Sequence, residues 1–254
     1  MPGLWHNAKY CFDTIVVDSF NEPTIRTAHE IVKEAVAHHN PFCVYGTTRG
    51  VGKTHLLYAI RNEASNLYPA LHTLYISTED ITSVLVKECV KRMEHCFLEQ
   101  YCKPDILLID DFDLLLGKEK TLMSLLLLVI LRCEQQKQTV IAWHGQPFSE
   151  IVFHYLSKSS SQQLENSSIW NLQIPNFDAC FTLLKRDAHE QGYRETLPDE
   201  ILTYVANYGN NGIRSMRMLF QRVALAFVQG KKTHTQEEVD TIAKKYGWLS
   251  RWDF

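Results

Sequence analysis

Ile25, Ala28, Ile31, Val32, Ala35 and Val36 recur at three- and four-residue intervals and predict a helix, which Asn40-Pro41 ends ahead of the apolar run Phe42-Cys43-Val44-Tyr45. The alternation then repeats. A helix is predicted from near Lys53, a strand at Leu74-Tyr75-Ile76, a helix through about 79–101, a strand at 106–109, a helix over about 119–134 and a strand at 139–142. Short, wholly apolar strands separated by helices predict a parallel sheet covered on both faces. The serine-rich stretch "SKSSSQQLENSS", 157–168, predicts a polar loop.

After Ile174-Pro175 the pattern becomes helical only. Asn176 or Asp178 caps the first of these helices, and Pro198-Asp199 opens the second. Gly209-Asn210-Asn211-Gly212 separates it from a third with Ile213, Met216, Phe220, Val223, Ala224 and Phe227 on its apolar face, and a last helix is predicted over about 235–246. The expected organisation is an α/β nucleotide-binding domain over 1–175 and a small all-helical lid domain with a C-terminal tail over 176–254.

Bulk properties narrow the class without naming a function. The 254 residues suffice for one large domain and a smaller one. A formal net charge of −3 excludes a strongly basic DNA-coating protein, so any nucleic-acid contact would be a local patch. The 7 cysteines form no C-x-x-C pair, which points to reduced thiols in a cytoplasmic protein, and the spacing of His95, Cys96 and Cys102 matches no zinc pattern. The amino-terminal MPGLWHNAKY is no signal peptide. The apolar run 122–131, "LMSLLLLVIL", is far short of the roughly 20 residues of a membrane span and is read as a buried helix.

The chemistry is concentrated in two stretches. "GTTRGVGKT", 46–54, sits between a predicted strand and a predicted helix, where a phosphate loop belongs. A strict G-x-x-x-x-G-K-[ST] pattern would need glycine at 47, and this chain has Thr47, with Gly46 one place early. The rest is intact: Gly50 and Gly52 let backbone amides approach phosphate, Lys53 reaches the β- and γ-phosphates, and Thr54 offers a hydroxyl to Mg²⁺ at a helix N-terminus. "ILLIDD", 106–111, is an apolar strand ending in two carboxylates, the form of a Walker B motif. Asp110 is expected to hold Mg²⁺ through water and Asp111 to polarise an attacking water.

The stretches "KYCFDTIVVDSFNEPTIRTAHEIV", "NPFCVYGTTRGVGKTHLLYAI", "DILLIDDFDLLLGKEKT" and "YVANYGNNGIRSMRMLFQRV" resemble the DnaA-like AAA+ family, the AAA+ core of bacterial replication initiators and their short stand-alone relatives of the Hda kind. The resemblance spans about 9–230. It implies a P-loop AAA+ fold and a cofactor site for ATP or ADP with Mg²⁺ formed by Gly46, Gly50, Val51, Gly52, Lys53, Thr54, His55 and Arg214, the last as the sensor 2 arginine in "GIRSM". Thr54 and Asp110 are the implied metal residues, and Asp111 and His144 the implied catalytic ones.

Departures from the family shape the functional expectation. Its sensor 1 is usually Asp, whereas "AWHGQP" places His144 there. Its arginine finger lies in R-x-x-x-R-F before a Trp, whereas Gln163 to Ile169 precede Trp170 here without arginine. The helical insertion 78–105 carries Lys87, Lys91 and Arg92, with Lys118 and Lys120 further on, in the region that contacts single-stranded DNA in the family; acidic neighbours make a merely solvated face an equal reading. Phe97 and Tyr101 are read as core. No duplex-reading helix-turn-helix domain and no clamp-binding peptide is expected, and the tail "GWLSRWDF" is either a docking peptide or packs on the lid.

The expected function is ATP- or ADP-dependent control of replication initiation through pairing with another AAA+ protein of the DnaA kind, with weak or absent hydrolysis. Two alternatives stand beside it. One is an active ATPase that binds single-stranded DNA or loads helicase, with Lys158 or Arg132 replacing the finger. The other is a degenerate scaffold that binds no nucleotide.

Overall fold

The computed structural model describes residues 10–34, 39–91, 94–145, 167–193, 197–229 and 235–250. Five strands, β1 (Phe42–Gly46), β2 (Thr73–Ser77), β3 (Ile106–Asp110), β4 (Gln138–His144) and β5 (Ser168–Asn171), form one parallel sheet in the order β2-β3-β4-β1-β5. Every residue of β3 is buried, so both faces of the sheet are covered there, as its unbroken apolar sequence predicts. The stop at Asn40-Pro41 also sets the register. Asn40 accepts from the Thr139 backbone N–H at 2.9 Å and donates to the Lys137 carbonyl at 2.9 Å, pinning the start of β1 to the start of β4.

Helices α1 (Glu22–Glu34), α2 (Lys53–Leu67), α3 (Thr78–Lys91), α4 (Glu94–Cys102) and α5 (Glu119–Glu134) accompany the sheet. The apolar run 122–131 is core: Leu122, Leu125, Leu126, Leu128, Val129 and Ile130 are buried, with Met123 and Leu127 on the exposed side. Phe97 and Tyr101 are buried in the same cluster. Among the described residues, no helix is long and apolar enough to cross a membrane.

Several boundaries differ from the sequence expectation. The helix predicted through 79–101 is described as α3 up to Lys91 and α4 from Glu94, with 92–93 outside the described residues. Strand β4 extends one residue before and two beyond the predicted 139–142, because its polar ends, Gln138 and His144, still pair with neighbouring strands. Ser168, assigned to the serine-rich loop, opens β5, while 157–166 lie outside the described residues.

The chain divides into two compact units, the first comprising Met1–Ile15, Pro23–Thr47 and Lys53–Leu172, the second Val16–Glu22, Thr48–Gly52 and Gln173–Phe254. The stretch 46–54 is thus split in sequence. Its residues 48–52 belong to the second unit and Lys53 and Thr54 to the first.

The second unit is helical and has its own core, in which Leu184, Val205, Met216, Phe220 and Val223 are buried. Helix Phe177–Glu190 is capped by Asn176, whose side chain accepts from the Ala179 N–H, so Asn176 and not Asp178 is the cap. Pro198 opens helix Asp199–Ala206, and the apolar face predicted after Gly212 lies on helix Ile213–Val228. The last helix is Gln236–Lys244, started by a capping box between Thr235 and Glu238. Arg217 grips the Asp187 carboxylate with two bonds, at 2.6 and 2.8 Å.

Candidate nucleotide site

In the sheet unit, β1, β4 and β3 lie side by side and end in Gly46, His144 and Asp110. Parallel α/β sheets present ligand sites at the carboxyl ends of their strands. Gly46 pairs with His144 in the register of β1 and β4. Helix α2 begins at Lys53, so Lys53 and Thr54 occupy its first turn, where backbone N–H groups lack intrahelical partners and favour an anion.

Asp110 is the centre of a hydrogen-bonded cluster. It is 1% exposed. Its Oδ2 accepts the Thr54 hydroxyl at 2.7 Å and the Tyr75 hydroxyl at 2.9 Å, and its Oδ1 accepts the Asp111 backbone N–H at 2.9 Å. The Thr78 hydroxyl donates to the Asp110 carbonyl at 2.8 Å. Burial, followed by the adjoining Asp110 carboxylate, pushes the Tyr75 phenol well above the usual tyrosine range, so it is a hydrogen donor at any physiological pH. Asp111 is exposed and has a left-handed backbone, φ 54°, which a short polar side chain tolerates.

His144 is held at both ends. Its backbone N–H donates to Asp113 Oδ1 at 2.9 Å, and its Nδ1 lies 3.0 Å from the Gly46 carbonyl, which fixes the proton on Nδ1. Nε2 is then the unprotonated nitrogen of the neutral ring. His55 is placed differently from the other loop residues: its Nε2 lies 2.9 Å from the Thr14 hydroxyl and 3.3 Å from the Cys11 carbonyl, so its ring anchors the chain before α1.

In the second unit, Gly50 and Gly52 have φ of 79° and 112°, conformations that favour glycine. A Cβ added to Gly50 would meet the Arg214 Cβ at 3.0 Å, so the first turn of helix Ile213–Val228 lies directly against the loop. Gly212, φ 87°, approaches the Arg49 carbonyl so closely that a Cβ there would overlap its oxygen. Arg214 is exposed and Val51 buried.

In the sheet unit, Thr54 and Asp110 form a donor set that fits a divalent cation. A hydroxyl that ligates a cation must send its proton elsewhere, and Thr54 sends its proton to Asp110. Gly50 and Gly52, the glycines expected at a phosphate, have a backbone that glycine adopts most readily.

Sequence reasoning missed Tyr75, Asp113 and the true role of Arg132. Arg132, offered above as a replacement finger, is fully buried and donates to the carbonyls of Tyr101, Pro104, Asp105 and Gln138 and to the Thr139 hydroxyl, so it cannot reach a neighbouring protein's nucleotide. The signal was its spacing: it falls three and four residues after the buried Val129 and Leu128, on the core stripe of α5. Lys158 and the segment 163–166 lie outside the described residues, as do the side chains of Lys87, Lys91 and Arg92.

Residues 6–155 match the family described as bacterial DnaA ATPase domain. The chromosomal replication initiator protein DnaA of Clavibacter sepedonicus is 31% identical over 227 residues, covering 89% of this chain and 46% of that protein. The same protein of Thermus thermophilus is 28% identical over 225 residues, with 88% and 50% covered. The chain thus spans about half the length of these curated relatives. Among solved structures, domain III of the Thermotoga maritima replication initiation protein DnaA matches with a TM-score of 0.80 at 25% identity, covering 94% of this chain and 98% of that one. Replication initiator DnaA bound to AMPPCP and single-stranded DNA shares the fold with a TM-score of 0.75 at 22% identity, covering 96% and 76%.

Proposed function

Because the chain belongs to the bacterial DnaA ATPase-domain family, we propose that it binds ADP or ATP with Mg²⁺ and acts in the control of replication initiation by pairing, in a nucleotide-dependent way, with another AAA+ protein of the DnaA kind. The observation that carries this reading is the 2.7 Å bond from Thr54 to Asp110, which joins the phosphate-loop hydroxyl to the strand-end carboxylate 56 residues away. Lys53 and the loop amides hold the phosphates and Thr54 and Asp110 hold the cation, with Arg214 the second positive group that the family resemblance implies. When bound, Mg²⁺ neutralises phosphate charge and supplies the electrostatic pull for phosphoryl transfer.

Hydrolysis by this chain alone is slow in this reading. Asp111 and the Nε2 of His144 can hold a water, but His144 replaces the family's sensor 1 carboxylate and the segment before Trp170 supplies no arginine. An arginine finger contributes about 10³–10⁵ in rate. A chain without one depends on a partner for that charge, which is what favours pairing over self-assembly.

The test is nucleotide-dependent thermal stability. ADP and Mg²⁺ at about a hundred times the dissociation constant stabilise by about 2.7 kcal/mol, expected as a rise in melting temperature of about 5–10 °C for a chain of this size. Lys53→Ala should lose the rise. A wild-type melting temperature unmoved by saturating ADP and Mg²⁺ would favour the degenerate scaffold instead. Co-sedimentation with the DnaA of the same cell, with ADP, with ATP and with neither, then tests pairing, and equal co-sedimentation in all three would refute its nucleotide dependence.

A further inference from the structure

Asp110 accepts a donor that a phosphate loop and a Walker B strand do not require. Its Oδ2 takes both the Thr54 and the Tyr75 hydroxyls, and its Oδ1 takes the Asp111 N–H. Each carboxylate oxygen offers two in-plane lone pairs. Oδ2 is therefore fully engaged, and one acceptor position is left, on Oδ1. Thr54 is in the opposite situation: its proton is committed to Asp110, so its own lone pairs remain for a cation.

The Tyr75 hydroxyl is held where it is by its ring. Tyr75 lies on β2, which pairs with β3 so that Ser77 is level with Asp110. Its ring stacks on Tyr58 with centroids 4.6 Å apart and planes at 22°. Tyr58 lies one turn after Thr54 on α2 and is stacked in turn on Tyr10, at 5.6 Å. The backbone carbonyl of Tyr10 accepts the Asn62 side-chain amide at 2.7 Å, which ties the far end of this column of rings to α2.

We infer that Tyr75 is a positioning residue that sets the metal preference of the nucleotide site: by occupying the second lone pair of Asp110 Oδ2, its hydroxyl denies that oxygen to a cation and so disfavours one that gathers both carboxylate oxygens. This rests on the reading that the loop and Asp110 hold a nucleotide with a divalent cation. Mg²⁺ is small, strictly octahedral and slow to give up water, so it suits a carboxylate that reaches it through water. Ca²⁺ is larger and gathers carboxylate oxygens directly. Removing the Tyr75 hydroxyl frees the lone pair and moves the site toward Ca²⁺.

The experiment is calorimetric titration of the full chain with ADP in Mg²⁺ and in Ca²⁺, for wild type, Tyr75→Phe and Tyr58→Phe. The readout is the ratio of the two ADP affinities within each variant, so a general loss of affinity or stability cancels. The wild type is expected to favour Mg²⁺, Tyr75→Phe to shift the ratio toward Ca²⁺ by about tenfold, the worth of one hydrogen bond to a charged group, and Tyr58→Phe, which keeps the stacked ring, to retain the wild-type ratio. An unchanged ratio in Tyr75→Phe overturns the inference and leaves the nucleotide reading standing. A wild type that prefers Ca²⁺ does the same without any variant. A wild type that binds ADP with neither metal overturns both.

Discussion

Replacing Arg132 with methionine is expected to destabilise the sheet unit by about 4 kcal/mol, the upper end of single-substitution effects. The side chain is buried, and all five guanidinium N–H groups are used: Nε on the Thr139 hydroxyl at 3.0 Å, Nη1 on the Tyr101 and Pro104 carbonyls at 2.9 Å each, and Nη2 on the Asp105 and Gln138 carbonyls at 3.3 and 2.7 Å. Burial lowers its pKa to about 10, which leaves it charged at neutral pH. The arginine thereby binds α5 to the end of α4, to the turn before β3 and to the start of β4. Methionine fills much of the volume and removes a buried charge, which offsets part of the loss. It also removes the guanidinium donor from four carbonyls, at a cost of about 1–3 kcal/mol for each one left buried without another donor. Urea unfolding should show a clear fall in midpoint, and the melting temperature should drop by more than about 10 °C. Arg132→Lys, with three donors in place of five, should fall between the two. A loss below about 1 kcal/mol in Arg132→Met would mean that water or relaxation takes over these carbonyls.

Arg132 also shows how far the sequence could be read and where it stopped. The elements were legible because their signals are local: apolar runs such as 106–109 for strands, three- and four-residue spacing for helices, Asn40-Pro41 and Pro198-Asp199 as boundaries. β5 was not, because its residues, Ser168-Ile169-Trp170-Asn171, continue a serine-rich stretch and owe their pairing to β1. The meeting of Thr54 with Asp110 was implied by two motifs with known strand and helix contexts. Tyr75 was not, because its partner lies 35 residues away on the neighbouring strand, and a tyrosine in a strand carries no mark of what its hydroxyl meets. Arg132 shows a related limit. Residue type suggested a finger role, and the three-dimensional neighbours give its guanidinium a full set of structural bonds instead.

Gly212→Ala should be nearly as damaging to the helical unit, with a second effect that Arg132 substitutions do not have. Gly212 has φ 87° and ψ 153°, a region populated essentially by glycine. Its carbonyl accepts the Met216 N–H at 3.1 Å, the first bond of helix Ile213–Val228, so the conformation cannot change without unwinding the helix start. A methyl group there would overlap the carbonyl oxygen of Arg49, a backbone atom with no rotamer by which to yield. Either residues 48–52 or the helix start must move, and both carry the predicted phosphate contacts. The expected result is a loss of about 3 kcal/mol, strain and overlap together, and loss of the rise in melting temperature with ADP and Mg²⁺. Gly192→Ala separates the two causes. Gly192 also has positive φ, 76°, but a Cβ there meets nothing within 4 Å, so that variant should cost only the strain, about 1 kcal/mol, and keep its response to ADP. If Gly212→Ala instead matched Gly192→Ala in both stability and ADP response, the close approach of the Arg49 carbonyl would not be what holds the phosphate loop in shape.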